Sequence, residues 1–347
     1  MKQFVIALVY GGQSAEHEVS LRSAQAIHGA LISLGCKVHC IGVDKAGIWR
    51  YQGIGTLFPE AVDLTAPAVS IRPGQRTLGF CAGGAGLKEF QVDVLFPALH
   101  GRWGEDGTIQ GMAALCGIPC VGSGVLGSAV SMDKDFTKRL LKDAGISVTP
   151  WMAVQAMPAW PAVVQTLGSI VFVKPASSGS SIGVSRVTDA GEYTRAFAEA
   201  SKFDSKVILE AEVRGREIEC GILQVGGELV ASELGEIIPL GKHRFYDYNA
   251  KYEDEAGARL CVPCCLPAEL KSQMQRLSKQ AFDCLGLEGL ARVDFFLRED
   301  GSVVINEVNT LPGFTSISMY PKMFEYTGYS LKKLVGQLLR ATVNMKG

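Results

Sequence analysis

The sequence predicts a mixed α/β (α+β) protein whose N-terminal part is an open parallel sheet. Two observations carry this. Strand and helix signals alternate from Phe4 to Leu99, and near the C-terminal end two apolar runs, Ala291–Leu297 and Val303–Val308, are separated by the turn residues Arg298-Glu299-Asp300-Gly301, as in an antiparallel hairpin. A third observation sets the scale: 347 residues at 47% hydrophobic content suffice for two or three domains with substantial cores.

Phe4–Val9 reads as the first strand, Gly11–Ser14 as a turn, and Glu18–Leu34 as a helix with apolar positions Val19, Ala24, Ile27, Leu31 and Leu34. Gly35 stops it and Val38–Val43 is the next strand. Open α/β sheets bind ligands beyond the carboxyl ends of their strands. Glu16 sits at such an end, where it either holds a ligand ammonium or compensates the helix N-terminus. Residues 51–87, rich in Gly, Pro and Thr, read as an irregular insertion. Val92–Leu99 is a buried strand running into the polar loop His100-Gly101-Arg102-Trp103-Gly104-Glu105-Asp106-Gly107, before a helix at Ile109–Cys116.

Gly122, Gly124 and Gly127 satisfy G-x-G-x-x-G, the dinucleotide-binding pattern, yet no acidic residue closing a second strand follows at the required distance. Ala129–Ala144 reads instead as one long helix containing Asp133-Lys134-Asp135. A new region begins at Val148. Ile170–Pro175 is a strand ending in Lys174, the small-residue loop Ala176–Val184 contains Ser180 and Ser181, and Val184–Val187 returns. This is a β-hairpin lid whose N–H and hydroxyl groups suit phosphates, and it lacks the P-loop pattern. Val207–Val213 is another strand, with Glu210 and Glu212 on one face and solvated carboxylates as the default reading. Residues 242–255 hold His243, Arg244, Tyr246, Asp247, Tyr248, Lys251 and Tyr252, a loop suited to closing on an anion. Pro267–Leu285 and Leu331–Val343 are amphipathic helices.

In the C-terminal hairpin, residues two apart face the same way, so Arg292 pairs with Asp294 on one strand and Glu307 with Asn309 on the next. Asp, Glu and Asn are the hard oxygen ligands Mg²⁺ prefers, and an adjacent guanidinium neutralises phosphate. A structural Arg–Asp pair on an acidic sheet edge is the plainer alternative.

The charge balance, 34 Lys+Arg against 35 Asp+Glu, offers no general attraction to nucleic acid or an anionic membrane. No export signal and no apolar run of roughly 18 residues is present, so a soluble, cytoplasmic protein is expected. The ten cysteines are expected as reduced structural thiols. Cys261 and Cys264 form a C-x-x-C, but no second pair completes a zinc site, and Leu260–Leu266 reads as a strand.

The combination His100-Gly101-x-x-Gly104-Glu105-Asp106-Gly107, Arg292-x-Asp294 and Glu307-x-Asn309-Thr310-x-Pro312-Gly313 resembles the hallmarks of the D-alanine–D-alanine ligases, of the ATP-grasp fold. The similarity runs from Gly11-Gly12-x-Ser14-x-Glu16 to Thr315-Ser316-x-Ser318. It implies three ATP-grasp domains, at residues 1–101, 102–214 and 215–347, and ATP-dependent joining of two D-alanines through an acyl phosphate for peptidoglycan precursors. It further implies a homodimer acting on small molecules alone. By resemblance, Lys134, Lys174, Ser180, Ser181, Glu210, Val213, Glu217 and Lys251 hold ATP. Asp294, Glu307 and Asn309 hold two Mg²⁺ ions, with Mn²⁺ as a substitute. Glu16, Ser180 and Tyr252 form a hydrogen-bonded triad, and Lys251, Arg292 and Gly313 serve the reacting groups. Glu16, His100, Ser318 and Met319 bind the amino acids. The chain departs from many members in having Ala211 where a lysine is common. Tyr252 and the apolar Met319 favour D-alanine as second substrate over D-lactate or D-serine. A D-alanine–D-serine ligase and a non-catalytic ATP-grasp binding protein are the competing readings.

Overall fold

The computed structural model describes residues 3–81, 86–240 and 257–344. The first unit is built on β1 (Val5–Gly11), α1 (His17–Ser33), β2 (Lys37–Val43) and β3 (Trp49–Ile54). β1 is covered on both faces, with Ile6 to Tyr10 all 0% exposed, which explains its continuous apolar run. Next come β4 (Val69–Ile71), β5 (Thr77–Cys81), β6 (Leu87–Gln91) and β7 (Val94–Pro97). The main sheet has the order β3-β2-β1-β7. β1 is parallel to β2 and β7, whereas β3 is antiparallel to β2. An open parallel sheet is therefore present, with one antiparallel edge.

Within its described residues, the segment expected as an irregular insertion contains regular strands. β4, β5 and β6 form a three-stranded antiparallel sheet, braced on β2 and β3 by stacked rings: His39 on Phe90 and Tyr51 on Phe80, each at 3.9 Å. These strands are short, and they are stabilised by aromatic partners distant in sequence, so local pattern alone does not reveal them.

α2 (Thr108–Leu115) is followed by α3 (Val125–Met132) and α4 (Lys134–Asp143). The single helix expected over 129–144 is broken at Asp133, whose carboxylate caps α4 by accepting the Asp135 and Phe136 N–H groups. The glycine pattern at 122–127 serves packing. A Cβ on Gly127 would lie 2.8 Å from the Gly286 carbonyl oxygen, so the glycine permits close backbone approach rather than a dinucleotide turn.

The central unit comprises β8 (Trp151–Val154), α5 (Trp160–Leu167), β9 (Val171–Pro175), β10 (Ser185–Val187), α6 (Ala190–Ala200) and β11 (Val207–Ala211). Its antiparallel sheet has the order β10-β9-β11-β8. The C-terminal unit follows: β12 (Arg216–Val225), β13 (Glu228–Pro239), β14 (Ala258–Cys261), α7 (Ala268–Cys284), β15 (Leu290–Leu297), β16 (Val303–Asn309), α8 (Met319–Tyr326) and α9 (Leu331–Asn344). Its sheet has the order β14-β13-β12-β15-β16. The strand expected over 260–266 ends at Cys261, just before Pro263, which has no N–H for a ladder. All ten cysteines are free thiols. Cys264 lies beside Glu236 and Arg216, and burial, reinforced by Glu236, pushes its thiol up to about 12, which keeps it inert.

The two ends of the chain share one core. Ile6, Leu8 and Tyr10 of β1 belong to the same cluster as Leu290, Leu311, Phe314, Tyr320 and Phe324, with Leu334 and Leu338 of α9. This packing brings the loop after β16 against the N-terminal unit.

Candidate active site

A cleft of about 1190 Å³ lies between the three units. The loop expected over residues 242–255 to close on an anion, with His243, Arg244, Tyr246, Asp247, Tyr248, Lys251 and Tyr252, lies outside the described residues. The other residues assigned above to ATP, metal or amino-acid binding all line this cleft: Glu16, His100, Lys134, Lys174, Ser180, Ser181, Glu210, Val213, Glu217, Arg292, Asp294, Glu307, Asn309, Gly313, Ser318 and Met319.

On the floor, β15 and β16 pair antiparallel with Arg292 opposite Asn309 and Asp294 opposite Glu307, and the register shifts just after Asp294. That register gathers the four polar side chains. Arg292 donates through Nε and Nη2 to the two Asp294 oxygens, at 2.7 Å each, and Asn309 Nδ2 donates to Asp294 Oδ2 at 2.9 Å. Arg292 also meets Glu219 at 3.0 Å. Burial alone would lower the guanidinium's pKa, but Asp294 and Glu219 hold it well above its usual value. Glu219 is a residue the sequence reading missed, although it shares a strand face with Glu217. It was hidden because β12 and β13 were not recognised, despite the Gly226-Gly227 turn that joins them.

Among the described residues no three His, Cys, Asp or Glu side chains cluster as a metal site. The available donors are two carboxylates and one amide, all hard. That set fits Mg²⁺ held jointly with substrate phosphates and does not fit a self-sufficient protein cage.

The roof is the hairpin between β9 and β10. Ser180 and Ser181 adopt left-handed backbone conformations, φ 49° and 58°, each costing on the order of 1 kcal/mol for a non-glycine residue. Among the described residues, contacts on both sides brace that geometry. The Ser180 hydroxyl donates to Glu16 Oε1, and the Lys134 ammonium donates to the Ser178 carbonyl at 2.6 Å. Glu16 makes no cap for α1, so its carboxylate is aimed at the hairpin and not at the helix N-terminus.

At the far end, Glu210 is not the solvated carboxylate that its local sequence suggests. It is 4% exposed and shared by two lysines, Lys174 and Lys138, the latter at 2.6 Å. Burial would raise the Glu210 pKa; the two ammonium groups keep it below the ordinary value. Lys138 was also missed. Its position one turn after Lys134 on α4 was the available signal, since residues four apart share a helix face. Glu212, next along, pairs with Arg186 at 2.7 Å and Arg214 at 3.2 Å.

At the substrate end, Ser318 Oγ accepts from the Thr315 N–H at 3.0 Å and contacts its hydroxyl at 2.7 Å. Met319 packs with Ile237 and Met323, in space left by Gly235, where a Cβ would overlap its sulfur. Glu105, within the loop after β7, was named only as part of a motif. Burial, then the neighbouring Glu16, pushes its carboxyl up to about 8.

An antiparallel sheet with a serine-rich hairpin closing on a second sheet that carries the acidic and amide groups defines an ATP-grasp protein. Comparison with known proteins narrows the class. The family model described as D-ala D-ala ligase N-terminus matches residues 5–123, and that described as D-ala D-ala ligase C-terminus matches residues 140–340. A D-alanine–D-alanine ligase A from Pseudomonas putida is 59% identical over 340 residues, covering 98% of this chain and 97% of the relative. A D-alanine–D-alanine ligase from Shouchella clausii is 44% identical, covering 97% and 94%. Among solved structures, the D-alanine–D-alanine ligase of Coxiella burnetii superposes with a TM-score of 0.87 at 33% identity, covering 100% of this chain and 95% of that one. The VanG D-Ala:D-Ser ligase of Enterococcus faecalis gives 0.84 at 33% identity, covering 99% and 100%. The chain belongs to the D-alanine–D-alanine ligase family.

Proposed function

We propose that the protein joins two D-alanine molecules at the expense of ATP, giving ADP, phosphate and the dipeptide used in peptidoglycan precursors. The observation that carries this reading is the single cleft that holds phosphate-type groups, Lys134, Lys174, Arg292 and the Asp294–Glu307–Asn309 set, together with the ammonium-type acceptor Glu16. This role in precursor synthesis places the protein in the cytoplasm.

ATP lies between the hairpin and the floor, its phosphates covered by Ser180 and Ser181 and its adenosine end toward Glu210, Val213 and Glu217. Glu16 holds the ammonium of the first D-alanine. That substrate's carboxylate is already nucleophilic, so the first step requires only alignment with the γ-phosphorus and neutralisation of charge. Arg292 supplies neutralisation from the floor, and Lys251 is proposed to supply it from the loop that lies outside the described residues. Two Mg²⁺ ions, held by Asp294, Glu307 and Asn309, would supply further charge stabilisation to the phosphoryl oxygens. Asp294 already shares both oxygens with Arg292 and Asn309, so to serve as a ligand Asn309 would present its amide oxygen, not the nitrogen now facing Asp294.

The product of that step is an acyl phosphate. The neutral amine of the second D-alanine attacks its carbonyl carbon, an oxyanion forms and collapses, the C–O bond to phosphate breaks, and the departing phosphate takes up the proton that the amine sheds. Arg292 and the Gly313 N–H stabilise the oxyanion, while Ser318 binds the second carboxylate. His100, Ser180 and Tyr252 complete the substrate side. Closure of the hairpin onto Glu16 keeps water from the acyl phosphate.

The structural likeness extends to a D-Ala:D-Ser ligase, so the fold does not choose the second substrate. The buried, apolar Met319 at the cleft wall favours a methyl side chain over a hydroxymethyl one. The test is to mix protein, ATP and Mg²⁺ with and without D-alanine, and with D-serine as competitor. Phosphate release that requires D-alanine, with D-alanyl-D-alanine as main product, supports the reading. Release without amino-acid dependence overturns it.

A further inference from the structure

The segment carrying Gly313 connects β16 to α8, yet it is held by side chains of the N-terminal unit and the loop that follows it. The Phe314 N–H donates to Ser23 Oγ at 3.1 Å, and Ser23, on α1, is 0% exposed. Ser23 Oγ lies 3.2 Å from His100 Nε2, and His100 Nδ1 lies 3.2 Å from the Leu311 carbonyl. A carbonyl only accepts, so Nδ1 carries the proton. In a neutral ring Nε2 then accepts, and the Ser23 hydroxyl donates to it. Burial lowers the His100 pKa and so favours that neutral ring. The circuit is closed and each atom has one consistent role.

Glu105 grips the same segment from the other side. Its Oε1 accepts the Leu311 N–H at 3.2 Å and its Oε2 accepts the Gly101 N–H at 2.8 Å. Backbone groups on both sides of Pro312-Gly313 are thus tied to the N-terminal side of the cleft. Between the ties, Pro312 has no N–H to offer, and the Gly313 N–H has no acceptor among the described residues. A side chain at position 313 would meet Ser318 Oγ at 2.8 Å, so the segment has no slack on that face.

We propose that Ser23 and Glu105 are positioning residues for the bond-forming step: through Phe314 and Leu311 they hold the Gly313 N–H directed into the cleft, toward the developing oxyanion. This rests on the ligase reading above. A donor fixed in advance needs no reorganisation as charge develops, and a misplacement of about 1 Å costs on the order of a hundredfold in rate. Neither residue is assigned to the nucleotide; Ser23 lies away from the lysines of the nucleotide end, whereas Glu105 interacts electrostatically with Lys134, so Ser23 gives the separation from nucleotide effects and Glu105 is read beside it.

The experiment compares Ser23→Ala, Ser23→Thr and Glu105→Gln with the unsubstituted protein. Ser23→Ala is expected to lower kcat for dipeptide by about ten- to a hundredfold with KM for ATP nearly unchanged. More than one phosphate should be released per dipeptide, because the acyl phosphate waits and hydrolyses. Ser23→Thr, which keeps the hydroxyl, should recover most of the rate, and Glu105→Gln should reproduce the kcat loss. Amide hydrogen exchange supplies a readout independent of turnover: Phe314 should exchange faster in Ser23→Ala, and Leu311 in Glu105→Gln. Unchanged kcat and phosphate-to-dipeptide ratio in both variants would overturn the proposal. So would equal losses in kcat and ATP affinity that disappear on cooling, which would assign both residues to domain packing alone. Absence of dipeptide from the unsubstituted protein overturns the ligase reading itself, whereas normal synthesis with unaffected variants overturns only the positioning role.

Discussion

The Ser180 hydroxyl donates to the Glu16 carboxylate across 164 positions of sequence. One hydrogen bond therefore joins the phosphate-covering hairpin to the far N-terminal unit, and it links closure over the nucleotide to the site assigned to the first amino acid. Glu16→Gln keeps an acceptor for Ser180 but removes the charge. It is expected to lower kcat/KM for D-alanine about ten- to a hundredfold, the worth of one hydrogen bond to a charged group, while KM for ATP changes little. Ser180→Ala should instead raise KM for ATP. Steady-state kinetics with each substrate varied in turn checks both, and the reverse pattern would break the link.

Lys138 shares the Glu210 carboxylate with Lys174 and is 1% exposed. Lys138→Met leaves Glu210 buried with one cation in place of two. The expected cost is roughly 2–4 kcal/mol of stability, somewhat less than stripping a buried charge of its sole partner, together with a several-fold rise in KM for ATP, because Lys174, already paired with Glu210, then neutralises it without Lys138 and is less available to the nucleotide. Denaturant unfolding and ATP titration measure these. An unchanged KM would confine Lys138 to a structural role.

Glu307 faces Asp294 across the β15–β16 pair. Glu307→Gln is nearly isosteric, so the fold should persist while turnover falls by about a hundredfold or more, as for loss of a charge-stabilising group. Circular dichroism and the metal concentration giving half-maximal rate check this. Chelation of divalent ions should abolish turnover, and Mg²⁺ should restore it. Near-normal activity of the variant at low Mg²⁺ would refute the assignment.

Glu105 supplies a pH test with a defined sign. Its folded pKa, about 8, lies above the ordinary glutamate value of about 4.3, so the folded site prefers the neutral carboxyl. Its contribution to stability is fully present below about pH 4 and is lost as pH rises through about 8. Relative to Glu105→Gln, which cannot ionise, the unsubstituted protein should lose stability across this window and level off above it. Thermal melts of both proteins from acid to mildly alkaline pH measure the difference. A constant difference would contradict the shifted value.

How much of this was legible in the sequence depended on where each residue's partners lie. Arg292, Asp294, Glu307 and Asn309 were readable because strand periodicity and the Asp300-Gly301 turn place them together without distant information. The hairpin at Ser180 was readable for the same reason. Lys138, Glu219 and Ser23 were not, because each takes its role from a partner on another element: Glu210, Arg292 and Phe314 respectively. For Glu210 the local pattern alone gave a solvated carboxylate and only the resemblance placed it at the nucleotide, since only the fold brings two lysines to it. The break at Asp133 could have been read from its capping chemistry, whereas β4 to β6 depended on stacking against β2 and β3.

The central claim is that the γ-phosphoryl group passes to the carboxylate of the first D-alanine. Supplying D-alanine labelled with ¹⁸O in its carboxylate tests this most directly. The account predicts that one labelled oxygen per dipeptide appears in the released phosphate, because the C–O bond breaks when the second amine attacks. Unlabelled phosphate alongside normal dipeptide formation would contradict it.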